Sequence, residues 1–530
     1  MRYLRLVQIA GRVWRKLYQP KLLVSQKSFR LRDEDGVWVQ GAEHSPTLVR
    51  PREFLFLNRI GKLEEIGWTG DERSKLWRYN QHYFDDLNSK GSHKRREWHL
   101  DLLSDWLECN PPFRGEGWEP YPCSLRIVNL IKWKLSGNLL PNEYLLNLSL
   151  QARWLCKNVE IHLLGNHLLA NAKALIFAGC FFKSEEADNW LLKGVRIITQ
   201  EISEQILSDG SHFELSPMYQ RIILEDFLDL LNLFNAYPKR VSKKLVIQLK
   251  NAIEIMMPWM KSMSHPDGEV SFFNDSAKGI ASSLNSLESY ASRLDIFNGV
   301  PMELGNQIYM EASGYFRWEQ GDAVLIGDVA CIGPDYIPGH GHADVLSFEL
   351  SIGRQRVLVN SGTSTYREST ERLRQRGTSA HNTVEINGED SSEVWKSFRV
   401  ARRAKAFNFA ILKDQGKWIE LRCSHDGYGR LFGKNIHSRT WQLSEGELVV
   451  RDSIQGPFHS AIARFHLHPD AKCSDNTIVL PDETKIFISS EASQLRIVDS
   501  TWHPNFGQSI VTKCLEYRIE KPVSTVKFKW

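Results

Sequence analysis

The chain of 530 residues contains no apolar run long enough to span a bilayer, which argues against a hydrophobic transmembrane helix. Its eight cysteines lie between Cys109 and Cys514 and form no CxxC pair. That spacing excludes a disulfide framework and a zinc-finger pattern, and the thiols are expected to be free and buried. The net charge of +4 is small for this length. It does not argue for nucleic-acid binding, although a local basic groove remains open. No low-complexity linker separates one region from another. The segment from Met1 to Arg12 is basic and mildly apolar, but charges interrupt it too often for a secretory core. It reads as an amphipathic basic helix resting on a membrane or partner surface.

What is present falls into two textures. After a basic extension over residues 1–50, residues 51–308 are assigned to a helical domain, with the helical pattern itself running from about 94 to 260. Leu100, Leu103, Trp106 and Leu107 keep a 3.6-residue spacing, as do Leu125, Val128, Leu130, Ile131 and Leu135. Further helices are expected near 143–157, 163–182, 188–206, 218–235 and 243–263, with short polar breaks that suit antiparallel helix pairs. Residues 309–530 change to short strands, among them Ser347–Ile352, Arg356–Asn360, Asn382–Ile386 and Ala461–His468, divided by turns such as Asn387-Gly388. This pattern predicts a helical domain followed by an antiparallel β-sandwich. Seventeen tryptophans are many. They suit stacking on sugar faces, but most are expected in the core.

Four clusters carry more polar chemistry than packing requires. Gly339–Asp344 holds His340 and His342 one residue apart. If strand geometry already holds there, both imidazoles share one face, which suits a metal, proton transfer, or both. Asn166 and His167 open an otherwise apolar helix, at an N-terminus that attracts anions. In Asp209–Tyr219, Ser216-Pro217 signals helix entry and places Tyr219 in the first turn, facing either a groove or the core. Arg126, in the loop-to-helix stretch after Trp118, could clamp a carboxylate or sulfate or sit in a salt bridge. With the Gly339–Asp344 pair goes the stretch Thr378–Val384, where His381 is expected to begin a strand.

These motifs, taken together and in this order, resemble the heparinase II/III-like polysaccharide lyases. The resemblance covers roughly residues 75–470 and implies an incomplete (α/α) toroid joined to an antiparallel β-sandwich. It implies β-elimination in an acidic, uronic-acid-containing polysaccharide. Asn166 would neutralise the uronate carboxylate, His167 is a candidate base, Tyr219 would act as base or acid, and His340 would move a proton or stabilise charge. Arg126, Tyr121, His212 and Glu214 would bind substrate. The resemblance also implies a structural zinc held by two histidines and an aspartate. His342 and His381 match the histidines, and Asn360 stands where the aspartate is expected. Asparagine is neutral and a weaker ligand, so zinc is either weakly held, drawn to Asp344 instead, or absent. On this reading His340 turns toward substrate and His342 toward the metal.

Relatives of this kind are generally exported, which places the chain in the periplasm or cell envelope, with surface-polysaccharide (capsule or O-antigen) metabolism as its setting. The lack of a visible signal makes the cytoplasm the alternative. Two other functions fit the same residues: a non-catalytic polysaccharide-binding or assembly factor, and a glycoside hydrolase using carboxylates such as Glu214 and Glu119. The oligomeric state is not legible in the sequence.

Overall fold

A computed structural model describes residues 3–17, 30–70, 72–299, 303–491 and 495–530. The chain divides into two compact units that interleave in sequence. Residues 207–221 and 256–284, inside the 51–308 stretch assigned to the helical domain, group with the C-terminal unit.

The helical unit is the incomplete (α/α) toroid. Its helices include Arg96–Cys109, Pro120–Leu135, Asn142–Lys157, Gly165–Phe181 and Glu185–Gln205. Each boundary has a local cause. Proline stands at the first position of Pro120–Leu135, and Ser184 caps Glu185–Gln205 by accepting from the Ala187 N–H. Gly165–Phe181 is buried along almost its whole length, as expected of a helix apolar on every side. The tryptophans Trp77, Trp106, Trp118 and Trp190 are almost wholly buried here. Among the described residues no helix is long and apolar enough to cross a membrane.

The C-terminal unit is antiparallel throughout its main sheets. Eight strands run in the order Ala406–Asp414, Lys417–His425, Ile436–Ser444, Glu447–Gln455, Val523–Lys529, Lys485–Glu491, Thr477–Val479 and Lys472–Ser474. A five-stranded sheet carries Phe348–Ile352 between Gln355–Leu358 and Ala323–Asp328. A four-stranded sheet holds Val384–Ile386, Ala461–His466, Ile510–Arg518 and Leu495–Trp502. Strand Ile436–Ser444 alternates inward and outward residues, and its Trp441 joins Phe348, Leu421, Leu448, Phe465 and Phe528 in one core.

Three expectations need correction. Gly339–Asp344 is loop, not strand; the sheet begins only at Phe348, after Leu346 at φ 63°. His381 does not begin its strand: it closes the short turn Thr378–Ala380, and the strand starts at Val384. All eight cysteines are free, but Cys109 and Cys331 are exposed.

Candidate functional site

In the C-terminal unit the candidate groups gather around one carboxylate that sequence reasoning missed. Asp275 is wholly buried and accepts from five donors. Oδ2 takes His340 Nδ1 at 2.9 Å and Arg372 Nη2 at 2.7 Å. Oδ1 takes His342 Nε2 at 2.9 Å, Thr363 Oγ1 at 3.3 Å and Arg372 Nη1. Burial alone would push this carboxyl up, but the Arg372 guanidinium and the two imidazole hydrogen bonds hold it well below the usual carboxylate range. An ionised carboxylate offers only acceptors, so His340 donates through Nδ1–H and His342 through Nε2–H. One side chain thereby sets both tautomers.

Both histidine rings thus point at the same carboxylate, one oxygen each. Their far sides part company. His340 Nε2 lies 3.4 Å from Glu214 Oε2. Its ring packs against Tyr219 with centroids 4.2 Å apart, and Phe398 lies 5.9 Å away. Tyr219 OH is 3.3 Å from Tyr366 OH, and all three rings, Tyr219, His340 and Tyr366, are half-buried. Tyr219 sits in the first turn of Pro217–Ala236, as the Ser216-Pro217 signal predicts, with its N–H on Ser216 Oγ at 3.2 Å. Burial pushes the Tyr366 phenol well above its ordinary value.

The loop is shaped by close contacts. At Gly341 a Cβ would stand 2.7 Å from Ile332 Cγ2, so a larger residue would displace the loop. Asn274, at φ 55°, accepts from the His342 N–H at 3.0 Å, donates to Leu215 O at 2.8 Å and offers its own N–H to Asp344. Asn tolerates this left-handed backbone better than most residues. Asp275 is therefore fixed by the residue before it.

His342, Asp344 and His381 form a buried set whose ligand atoms all lie within 4.8 Å of one another. His342 Nδ1 and both ring nitrogens of His381 are buried without a hydrogen-bond partner. Burial holds His342 down to about 4 and His381 well below its ordinary value, so both are neutral. Burial raises Asp344 to about 6. Neutral imidazoles with orphaned lone pairs beside a carboxylate, one of them backed by a second carboxylate, are the donor set a zinc ion takes. The expected ligand Asn360 is engaged otherwise: its Oδ1 accepts from the Asn382 N–H at 3.1 Å and its amide faces Ser347. The aspartate in the cluster is Asp344.

The expected substrate-binding residues fare differently. His212 is fully buried, held down to about 3 by burial and by the neighbouring His340, so it cannot touch a sugar. Glu214 is buried and stands behind His340 rather than facing solvent.

In the helical unit the Asn166-His167 pair does open Gly165–Phe181, where Leu164 and Gly165 both take positive φ. His167 Nδ1 lies 3.2 Å from Glu160 Oε2, and its ring packs on Tyr121 with centroids 4.4 Å apart. Asn171 clamps Glu160, its Nδ2 donating to Oε2 at 3.3 Å and its Oδ1 accepting the Glu160 N–H at 2.8 Å. Burial would raise Glu160, but the His167 hydrogen bond and charge bring it below its ordinary value. Arg126 requires correction. It is fully buried inside Pro120–Leu135 and donates to Gln151 Oε1 at 3.0 Å, His82 O at 3.0 Å and Gly117 O at 2.7 Å, while lying 4.0 Å over the Trp106 ring. Its donors serve the fold and are not offered to an anion. Burial lowers it to about 10.

A toroid unit carrying the Asn166-His167 pair and an antiparallel sandwich unit carrying the histidine cluster define the class. Residues 64–299 match the model of the heparinase II/III N-terminus, and residues 303–530 match the heparinase II/III-like C-terminal model. The chain belongs to the heparinase II/III-like family. A heparin-sulfate lyase of Bacteroides stercoris is 28% identical over 251 residues, 43% of this chain and 37% of that protein. The match to this curated lyase thus spans little more than a third of its length. FtsZ-localized protein C of Caulobacter vibrioides is 22% identical over 497 residues, 86% of this chain and 82% of that protein. A crystal structure of heparinase III has the same fold, with a TM-score of 0.69 at 18% identity over 89% of this chain and 79% of that one.

Proposed function

We propose that the chain is a polysaccharide lyase that cleaves a uronic-acid-containing polysaccharide by β-elimination and acts at the cell envelope, in surface-polysaccharide metabolism. The observation that carries this reading is the packing of Tyr219 on His340, with His340 oriented by Asp275. In the reaction a base removes the C5 proton and the electron pair forms the C4–C5 double bond. The C4–O bond breaks, and an acid protonates the departing glycosidic oxygen. Tyr219 is the group assigned to the proton beside the scissile bond, and His340 steadies charge or relays the proton. Family resemblance assigns the uronate carboxylate to Asn166 and a candidate basic role to His167, which Glu160 orients. Zinc, when bound by His342, Asp344 and His381, would serve as a structural cross-link tying the histidine loop to the segment that leads into strand Val384–Ile386.

Hydrolysis fits less well, because Glu214 is turned to His340 and Glu119 is engaged by Lys75 and Tyr79. A second reading, a non-catalytic polysaccharide-binding or assembly factor, draws support from one observation: a relative matched over 86% of this chain is named for its localisation with FtsZ. One experiment separates the readings. The chain is incubated with a panel of uronate polysaccharides and followed for the ultraviolet absorbance of unsaturated products. Elimination predicts that signal and its loss in Tyr219→Phe. Saturated fragments would indicate hydrolysis, and no cleavage of any member would favour the non-catalytic reading.

A further inference from the structure

The helix Leu6–Leu17 is mounted on the helical unit with its polar side inward. Gln8 is buried, and Arg5 pairs with Glu204. Gly11 lies so close to His162 that a Cβ there would stand 2.8 Å from His162 Cβ. Arg15 Nη1 reaches His162 Nε2 at 3.1 Å. Burial and then Arg15 lower His162 to about 4, so the ring is a neutral acceptor that leaves the guanidinium charge intact.

The opposite side is apolar and faces solvent. Leu6 is 84% exposed, Leu17 80%, Trp14 62% and Val13 52%. At 100° per residue Leu6, Val13 and Leu17 form one stripe, with Trp14 on its flank. A water-soluble surface helix has the reverse arrangement, with its apolar side against the core. The charge of this region is equally one-sided. Nine Lys and Arg precede Asp33, and no Asp or Glu does, in a chain whose net charge is only +4.

We propose that Leu6–Leu17 is an interfacial membrane anchor, seating the Leu6/Val13/Leu17 stripe in an anionic bilayer and holding the helical unit at the membrane surface. The stripe supplies the apolar contact, and the one-sided basic composition of the segment before Asp33 favours acidic lipid. A second copy of the same face is a poorer occupant, because pairing would bring together two segments that each carry nine cations and no acid before Asp33. The proposal is independent of the lyase reading.

The test uses the full chain in co-sedimentation with vesicles of phosphatidylglycerol and phosphatidylethanolamine, and with vesicles of phosphatidylcholine alone. The expected partition into the anionic vesicles is at least about tenfold stronger. Leu6→Asp with Leu17→Asp, at the two most exposed positions of the stripe, should lower it by about tenfold or more while the thermal melt is unchanged. Arg12→Gln should weaken binding a few-fold and flatten its salt dependence. Absence of partition into anionic vesicles, or equal partition by the double aspartate variant, would overturn the proposal. So would a dimer in sedimentation equilibrium that the same two substitutions dissociate, which would give the stripe to a second copy.

Discussion

His340 and Asp275 are joined by a 2.9 Å hydrogen bond from Nδ1 to Oδ2, and the same carboxylate receives His342 on its other oxygen at 2.9 Å. Asp275→Asn puts an amide N–H against donors and leaves Arg372, fully buried, without its counter-charge. Removing one member of a buried pair costs about 3–5 kcal/mol. The variant should melt lower, and the folded fraction should turn over about 100-fold more slowly as His340 loses its orientation. A folded variant with unchanged kcat would remove Asp275 from the positioning role.

Tyr219→Phe deletes one hydroxyl and keeps the ring that packs on His340. Product formation should fall by about 100-fold or more, with KM little altered and the melting temperature within a degree or so of the parent. Tyr366→Phe removes the partner phenol at 3.3 Å and should have the milder effect. If the two variants lost activity equally, the proton would have to be assigned to the pair rather than to Tyr219.

Arg126 is a residue of the fold. Arg126→Met should strip hydrogen bonds from His82 O, Gly117 O and Gln151 and lower thermal stability by about 2 kcal/mol or more. In the fraction that remains folded, KM for an anionic polysaccharide should stay where it was. A large rise in KM with normal stability would restore Arg126 to the substrate-binding set.

Stability should fall with acid earlier than carboxylate titration alone would produce. Burial holds His82 and His212 at about 3 and His265 at about 4. These lie below the unfolded value of about 6.5, so between the two the unfolded chain binds more protons. The stabilising contribution is complete above pH 6.5, declines as pH drops through the window, and stops declining below the folded values. Thermal melts at pH 7.5, 6 and 5 should move down by several degrees in total. A melting temperature flat across that range would contradict neutral burial of these rings.

Elemental analysis after dialysis against a weak chelator should find about one zinc per chain. His381→Ala should abolish it and lower the melt, whereas Asn360→Ala should leave the metal in place because Asn360 is occupied with Asn382. Retention of zinc by His381→Ala, or its loss on Asn360→Ala, would reverse the ligand assignment.

Much of this arrangement could be read in the sequence. Helical period and turn residues predict helices near 143–157 and 163–182, where Asn142–Lys157 and Gly165–Phe181 lie, and Tyr219 in a first turn. The two histidines on the loop, and His381 further on, are visible as motifs. Asp275 is not, because its partners lie 65 to 97 residues away, and a lone Asn274-Asp275 after two phenylalanines looks like an ordinary turn. Arg372 is hidden likewise inside a short helix with arginine at every second position. Arg126 misleads for the opposite reason: a polar side chain near a helix start looks available, and only the surrounding carbonyls show that its donors are already taken.

With zinc and substrate bound as proposed, Asp275 would also set a reciprocity between the two equilibria. A cation drawn to His342 and a sugar drawn to His340 act on two oxygens of one carboxyl group. Whatever factor metal occupancy applies to substrate affinity, substrate must apply to metal affinity, since both follow from one closed thermodynamic cycle. Titrating zinc with and without saturating oligosaccharide would therefore measure, from the metal's side, how strongly the two histidines are coupled.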